Sequence, residues 1–335
     1  MSEIKPPKLG YVPALDGIRA VAIGLVVAFH ATGWPYGGPY GVDLFFVLSG
    51  FLITTMLMEE RDRDRRFNLR RFYAGRARRL FPAVAVMLAA YLLYGAVRGA
   101  NLLPHVADYG LYYGNIYFVA SHYNDPTGLS HLWSLAEEEQ FYLVWPCLLL
   151  LFERSRRPLV WMLGLVVAAA SWRFWMIAHG ASMNRLYRAP DTHAEGLLLG
   201  CALAFVKRAG YRGKEWHGKL GVALLAPAAI LGIWKVLLPV VEAGSALMLL
   251  AATAETELAR MLSVRPLVWL GKRSYSLYVW HFPILWAFGH YGALPCVAGA
   301  VAVAALSYRY VEQPFRRRRE HHVAGVEPVP NPSAG

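Results

Sequence analysis

The feature that most constrains this chain is a run of apolar stretches, each about 17–20 residues long, which is the length a helix needs to cross the hydrocarbon core of a bilayer. They lie near 14–33, 41–58, 80–98, 133–152, 158–178, 191–206, 220–237, 241–257, 274–291 and 293–311. Composition agrees: the chain is 56% hydrophobic and 17% charged, whereas soluble domains are about a quarter charged. The mean hydropathy of +0.34 argues against a soluble enzyme. The predicted fold class is therefore all-α, a polytopic membrane helix bundle of about ten transmembrane helices. Cys147, Cys201 and Cys296 all sit inside apolar stretches. They read as small buried hydrophobes, which excludes a disulfide framework.

Positive charge sets the orientation, because short cytoplasmic loops retain Lys and Arg. With ten spans and the N-terminus inside, 27 of the 34 basic residues fall on the inner side. Arg98, Arg185 and Arg188 fall outside, and Arg19, Arg173, Lys235 and Arg309 lie within spans. If the Tyr- and Gly-rich segment 105–121 also crossed, every later loop would flip and the split would become 13 inside and 17 outside. This segment, with His105, Asp108 and Asn115, is therefore placed in an outer loop, either re-entrant or lying on the surface. Both termini are expected in the cytoplasm and the protein in the inner, or cell, membrane as a multi-pass protein. Residues 1–319 read as one membrane domain and 320–335, rich in Pro, as a disordered cytoplasmic tail. The first span carries Asp16, Arg19 and His30 and no small-residue cleavage site, so it reads as a retained anchor. The net charge of +12 is explained by insertion topology and anionic lipid headgroups, so no nucleic-acid partner is expected.

Ionisable groups inside a bilayer are expensive, which makes them functional candidates. Arg19 and His30 share the first span; 11 residues give about 16 Å of rise and a net rotation of about 20°, so both lie on one face. At the depth of His30, other spans begin with Asp43, with Glu137, Glu138 and Glu139, and with Asp191, His193 and Glu195. An imidazole among carboxylates is a layout suited to general-base chemistry. His281 lies mid-span in the ninth segment. On the inner side Arg76, Arg78 and Arg79 run into the third span, and Arg76 and Arg79 share a helix face. Guanidinium forks match phosphate oxygens. No spacing of Cys or His matches a zinc motif, so no metal is expected.

Several stretches together resemble the acyltransferase 3 family of integral membrane O-acyltransferases, over about residues 12–319. They are Leu15-Asp16-Gly17-Ile18-Arg19-Ala20 running to Phe29-His30, then Gly41-Val42-Asp43-Leu44-Phe45-Phe46, and the paired Arg76 and Arg79. Ser130-His131-Leu132-Trp133-Ser134 with Glu138-Glu139-Gln140-Phe141-Tyr142 follows, then Ser274-Tyr275-Ser276-Leu277-Tyr278-Val279-Trp280-His281 and Val311-Glu312-Gln313-Pro314-Phe315. Two departures stand out. Pro190-Asp191-Thr192-His193-Ala194-Glu195 has His where the family commonly has Arg and Glu where it has Asp, and Glu137 replaces a small apolar residue.

The resemblance implies transfer of an acyl group, most often acetyl, from acetyl-CoA or another acyl-CoA to a hydroxyl of a carbohydrate or glycosylated acceptor. On that reading Arg76 and Arg79, with Arg78 and Arg19, hold the donor's phosphates. The distance from Arg19 to His30 is comparable with an extended pantetheine arm. His30 is the general base or a transient acyl carrier, oriented by Glu138, Glu139 or Asp43. Asp191, His193, Glu195 and His281 are expected on the acceptor side. Alternatives are acylation of a small secondary metabolite such as a macrolide sugar, a glycan transporter or flippase, and a non-catalytic scaffold. Transporters often carry two related halves, and no internal repeat is visible in the sequence.

Overall fold

A computed structural model describes residues 9–64, 67–120, 127–232 and 234–315. The tail 320–335 and the arginines at 316–319 lie outside the described residues. Among the described residues there are helices and no strands. Ten of these helices have 14 or more residues: α1 Pro13–Thr32, α2 Tyr40–Asp64, α3 Leu69–Val97, α4 Trp133–Glu153, α5 Pro158–Ala178, α6 Glu195–Arg208, α7 Glu215–Leu231, α8 Trp234–Ala252, α9 Ser274–Phe288 and α10 Ala293–Ser307. Each falls on one of the apolar stretches read from the sequence.

Five are long and apolar enough to cross a bilayer by length and composition alone: Pro13–Thr32, Tyr40–Asp64, Leu69–Val97, Pro158–Ala178 and Ala293–Phe315. The last begins with α10 and continues through a π-turn at Tyr308–Glu312. Burial sorts these helices. In α2, 72% of the apolar window is buried inside the protein, against 11% in α5. So α2 is the central helix, and α5 presents its apolar face outward.

Local chemistry sets the helix ends. Pro13 and Pro158 stand in the first turns of α1 and α5, where a missing N–H costs no hydrogen bond. Asn68 caps α3 by accepting from the Arg71 N–H at 2.9 Å. At the end of α1, Gly33 takes φ 74° and returns its N–H to Phe29 O at 2.7 Å.

The tightest crossing joins α2 and α6. A methyl at Gly50 would collide with the Leu197 carbonyl, and one at Gly200 with the Val47 carbonyl. Paired glycines thus let two backbones touch, the small-residue device of membrane helix packing. The crossing carries α6 and the Pro190–His193 turn preceding it onto Asp43 of α2.

Segment 105–121 is not one helix. It forms Leu103–Gly110 and Gly114–Ala120, broken where Tyr112 adopts φ 56°. Asn115, fully buried, donates to Gln140 Oε1 at 3.0 Å, and Gln140 Nε2 returns bonds to Asn115 Oδ1 and Tyr112 O, both at 2.9 Å. This amide pair pins the broken segment to α4.

Candidate active site

Three consecutive residues of α4 point to three different neighbours, because each step along a helix turns about 100°. Glu137 is buried and faces His193, whose Nδ1 lies 3.6 Å from Glu137 Oε2. The Glu138 carboxylate meets the Ser49 hydroxyl and lines a cavity of about 320 Å³. Glu139 Oε1 accepts from Arg76 Nη2 at 2.7 Å and Nε at 3.3 Å. The Arg76 guanidinium also lies 3.4 Å from the centre of the Tyr142 ring. Such stacking suits a planar cation held away from bulk water.

The cavity follows nearly the whole of α2, from Val42 to Arg63, a rise of about 30 Å. Its charged lining is Arg19, Arg63, Arg71, Arg76 and Arg79 with Glu59, Glu60 and Glu138. Its middle is apolar, with Phe45, Leu48, Leu52 and Ile53. Elsewhere its wall holds Ser134 and Tyr278, whose hydroxyls are 2.6 Å apart. The Tyr278 hydroxyl also donates to the His131 carbonyl.

Behind that wall three imidazoles gather. His30 Nδ1 and His281 Nε2 are 2.9 Å apart, and the His131 ring sits edge-on to His281 at 5.2 Å between centroids. His281 Nδ1 faces two acceptors, Tyr278 O at 2.7 Å and Leu277 O at 3.1 Å. In a neutral imidazole a ring nitrogen facing only carbonyls carries the proton, which puts the lone pair on His281 Nε2 and makes His30 Nδ1 the donor. His30 Nε2 is then left with its lone pair, and it makes no hydrogen bond among the described residues. This is the form a general base needs.

The partner of His30 therefore differs from the carboxylate expected from sequence. Asp43 is taken by His193 Nε2 at 2.7 Å, Glu139 by Arg76, and Glu138 faces Ser49. His281, expected on the acceptor side, is instead the residue that fixes the His30 ring. Arg19, Arg76 and Arg79 all line the cavity, with Arg19 also paired to Asp16 at 2.6 Å. Arg78 is exposed and does not line the cavity.

Asp191 binds Arg185 Nη2 at 2.6 Å and accepts from Trp172 Nε1 at 3.0 Å, apart from the cavity lining. His193 is fully buried between Asp43 and Glu137, with Trp133 stacked on it at 5.5 Å. The two departures from the family pattern thus meet: the His at 193 and the acid at 137 face each other. Glu195 is buried beside them, at 2% exposure.

Sequence reasoning passed over Arg173 and Glu242. Arg173 is fully buried on α5, donating to Leu186 O and Thr192 O at 2.8 Å each. Glu242 is buried on α8. Each is a charge inside an apolar stretch, the very signal that marked the other candidates. Ser49, Ser134, Tyr142 and Tyr278 carried no such signal, since hydroxyl residues are common in membrane helices.

A family model described as an acyltransferase domain matches residues 12–308. Peptidoglycan O-acetyltransferase OatA of Listeria monocytogenes is 34% identical over 349 residues, covering 92% of this chain and 56% of the relative. O-acetyltransferase OatA of Staphylococcus aureus is 31% identical over 354 residues, covering 92% of this chain and 58% of the relative. The chain thus spans little more than half the length of these relatives. No solved structure matches it. The match runs through the residues that build the cavity and the imidazole cluster, and the chain belongs to the acyltransferase 3 family.

Proposed function

We propose that this protein is an integral membrane O-acyltransferase that moves an acyl group, preferentially acetyl, from acyl-CoA to a hydroxyl of a carbohydrate acceptor. The reading takes ten membrane crossings with both termini cytoplasmic, with the Arg63 and Arg71 end of α2 and α3 on the side where acyl-CoA is made. The relatives are named for peptidoglycan O-acetylation, which makes an envelope sugar the preferred acceptor.

The observation that carries this reading is the cavity itself. Five arginines line it together with the Ser134–Tyr278 pair, and Tyr278 rests directly on the histidine cluster. Its residues fit the donor: guanidinium groups suit phosphates, and the apolar stretch along α2 suits a pantetheine arm. Arg76, held by Glu139 and Tyr142, is preorganised as a phosphate fork, and Arg19 and Arg79 line the same cavity.

His30 Nε2 takes the proton of the acceptor hydroxyl as that oxygen attacks the thioester carbonyl. His30 Nδ1–H, bonded to His281 Nε2, keeps the ring in the required tautomer and shares the positive charge that forms. The C–S bond breaks, the thiolate of coenzyme A leaves, and the proton held on His30 returns to it or to water. Such base catalysis contributes about 10²–10⁴-fold.

The test is incubation of membranes containing the protein with labelled acetyl-CoA, followed by mass spectrometry of envelope glycans. Label in a base-labile ester on a sugar is the expected result. Glycan that crosses the membrane unlabelled would mark a transporter instead.

A further inference from the structure

A second cavity, of about 690 Å³, lies at the C-terminal end of α2, where Glu59, Glu60 and Arg63 line the first, and shares no lining residue with it. Arg61, Asp62, Glu153, Arg156, Arg157 and Arg208 supply its charges. Glu153, only 5% exposed at its side chain, pairs with Arg61 and accepts from Arg208 Nη1 at 2.9 Å. Arg208 Nη2 reaches Asp62 at 2.8 Å. These pairs hold two guanidiniums in place from α2 and α6. Arg156 and Arg157, in the α4–α5 connection, make no ion pair among the described residues and leave the cavity basic.

The surroundings are those of a bilayer interface. α5 starts at the cavity's edge with Pro158 and Val160, and its apolar face is turned outward, with Val160, Trp161 and Val167 at 60%, 59% and 64% exposure. Trp161 Nε1 donates to Ser155 Oγ at 3.0 Å, the amphipathic placement typical of an interfacial tryptophan. Positive cavities between helix ends bind anionic headgroups. We propose that this cavity is a binding site for the phosphodiester headgroup of an anionic phospholipid, whose acyl chains lie along the exposed face of α5. The site is independent of acyl transfer: none of its residues belongs to the candidate active site.

The experiment is native mass spectrometry of the full, delipidated chain titrated with phosphatidylglycerol or with phosphatidylcholine of the same acyl chains. Wild type should retain phosphatidylglycerol about 30-fold better, as two surface arginines imply. Arg156→Gln with Arg157→Gln should abolish that preference, while Arg156→Lys with Arg157→Lys should keep most of it, since charge rather than shape draws the headgroup. Acyl transfer by both variants should persist, which also certifies their folding. Equal retention of the two lipids by wild type, or an unchanged preference in the glutamine variant, would overturn the proposal. So would displacement of bound lipid by millimolar inorganic phosphate or coenzyme A, which would make the cavity a site for a soluble phosphate.

Discussion

His30 Nδ1 lies 2.9 Å from His281 Nε2, across 251 residues of sequence. Because His281 Nδ1 is committed to the Tyr278 and Leu277 carbonyls, this one contact sets the protonation of both rings. It leaves the free lone pair on His30 Nε2. The His30 ring is thus held by an imidazole and not by a carboxylate.

This arrangement predicts a graded series in acyl-transfer kinetics. His30→Ala should lower kcat by about 10²–10⁴-fold. His281→Ala should lower it by about 10–100-fold with the KM for acyl-CoA unchanged, and the double variant should be no worse than His30→Ala, since two residues acting as one unit are not additive. His281→Gln, which can still accept from His30 Nδ1, should recover part of the loss. A purely structural role for His281 would show none of this rescue.

Donor affinity should follow the Arg76 fork. Arg76→Ala should raise the apparent KM for acyl-CoA about tenfold or more, and Arg76→Lys should restore little of it. Lysine keeps the charge but loses both the bidentate geometry and the stacking on Tyr142. Arg78→Ala, at an exposed position outside the cavity, should leave KM unchanged. Steady-state titration with acyl-CoA checks all three.

The Asp43–His193–Glu137 cluster should matter for stability. His193→Ala leaves two carboxylates facing each other in a fully buried site, and breaking a buried pair costs about 3–5 kcal/mol. Removing Glu137 as well should return part of that cost. A double-mutant cycle read by thermal unfolding in detergent should give a coupling of about 0.5–3 kcal/mol between positions 137 and 193. Additive effects would separate the two departures that the fold brings together.

The helices were legible because a bilayer imposes a length on them; each of the ten long helices lies on an apolar stretch of the sequence. Charge asymmetry sets 105–121 apart from the crossing segments, but nothing in the sequence marks the break at Tyr112. The partners within the site were not legible either. Helical periodicity puts Glu137, Glu138 and Glu139 on three faces but does not say which helix stands opposite each. Arg76 meets Glu139 across 63 residues and Asp43 meets His193 across 150, and only the placing of α3 beside α4 and of α2 against α6 decides those pairs. Sequence alone therefore leaves open that His30 meets His281, and that Asp43, Glu138 and Glu139 meet His193, Ser49 and Arg76.

The account turns on His30 as the group that activates the acceptor hydroxyl. The direct measurement is transfer from radiolabelled acetyl-CoA to a peptidoglycan-type sugar by the reconstituted protein, wild type beside His30→Ala, with both variants confirmed as folded. The account predicts ester-linked label with wild type and label at the no-protein level with His30→Ala. Equal labelling by the two proteins would contradict it.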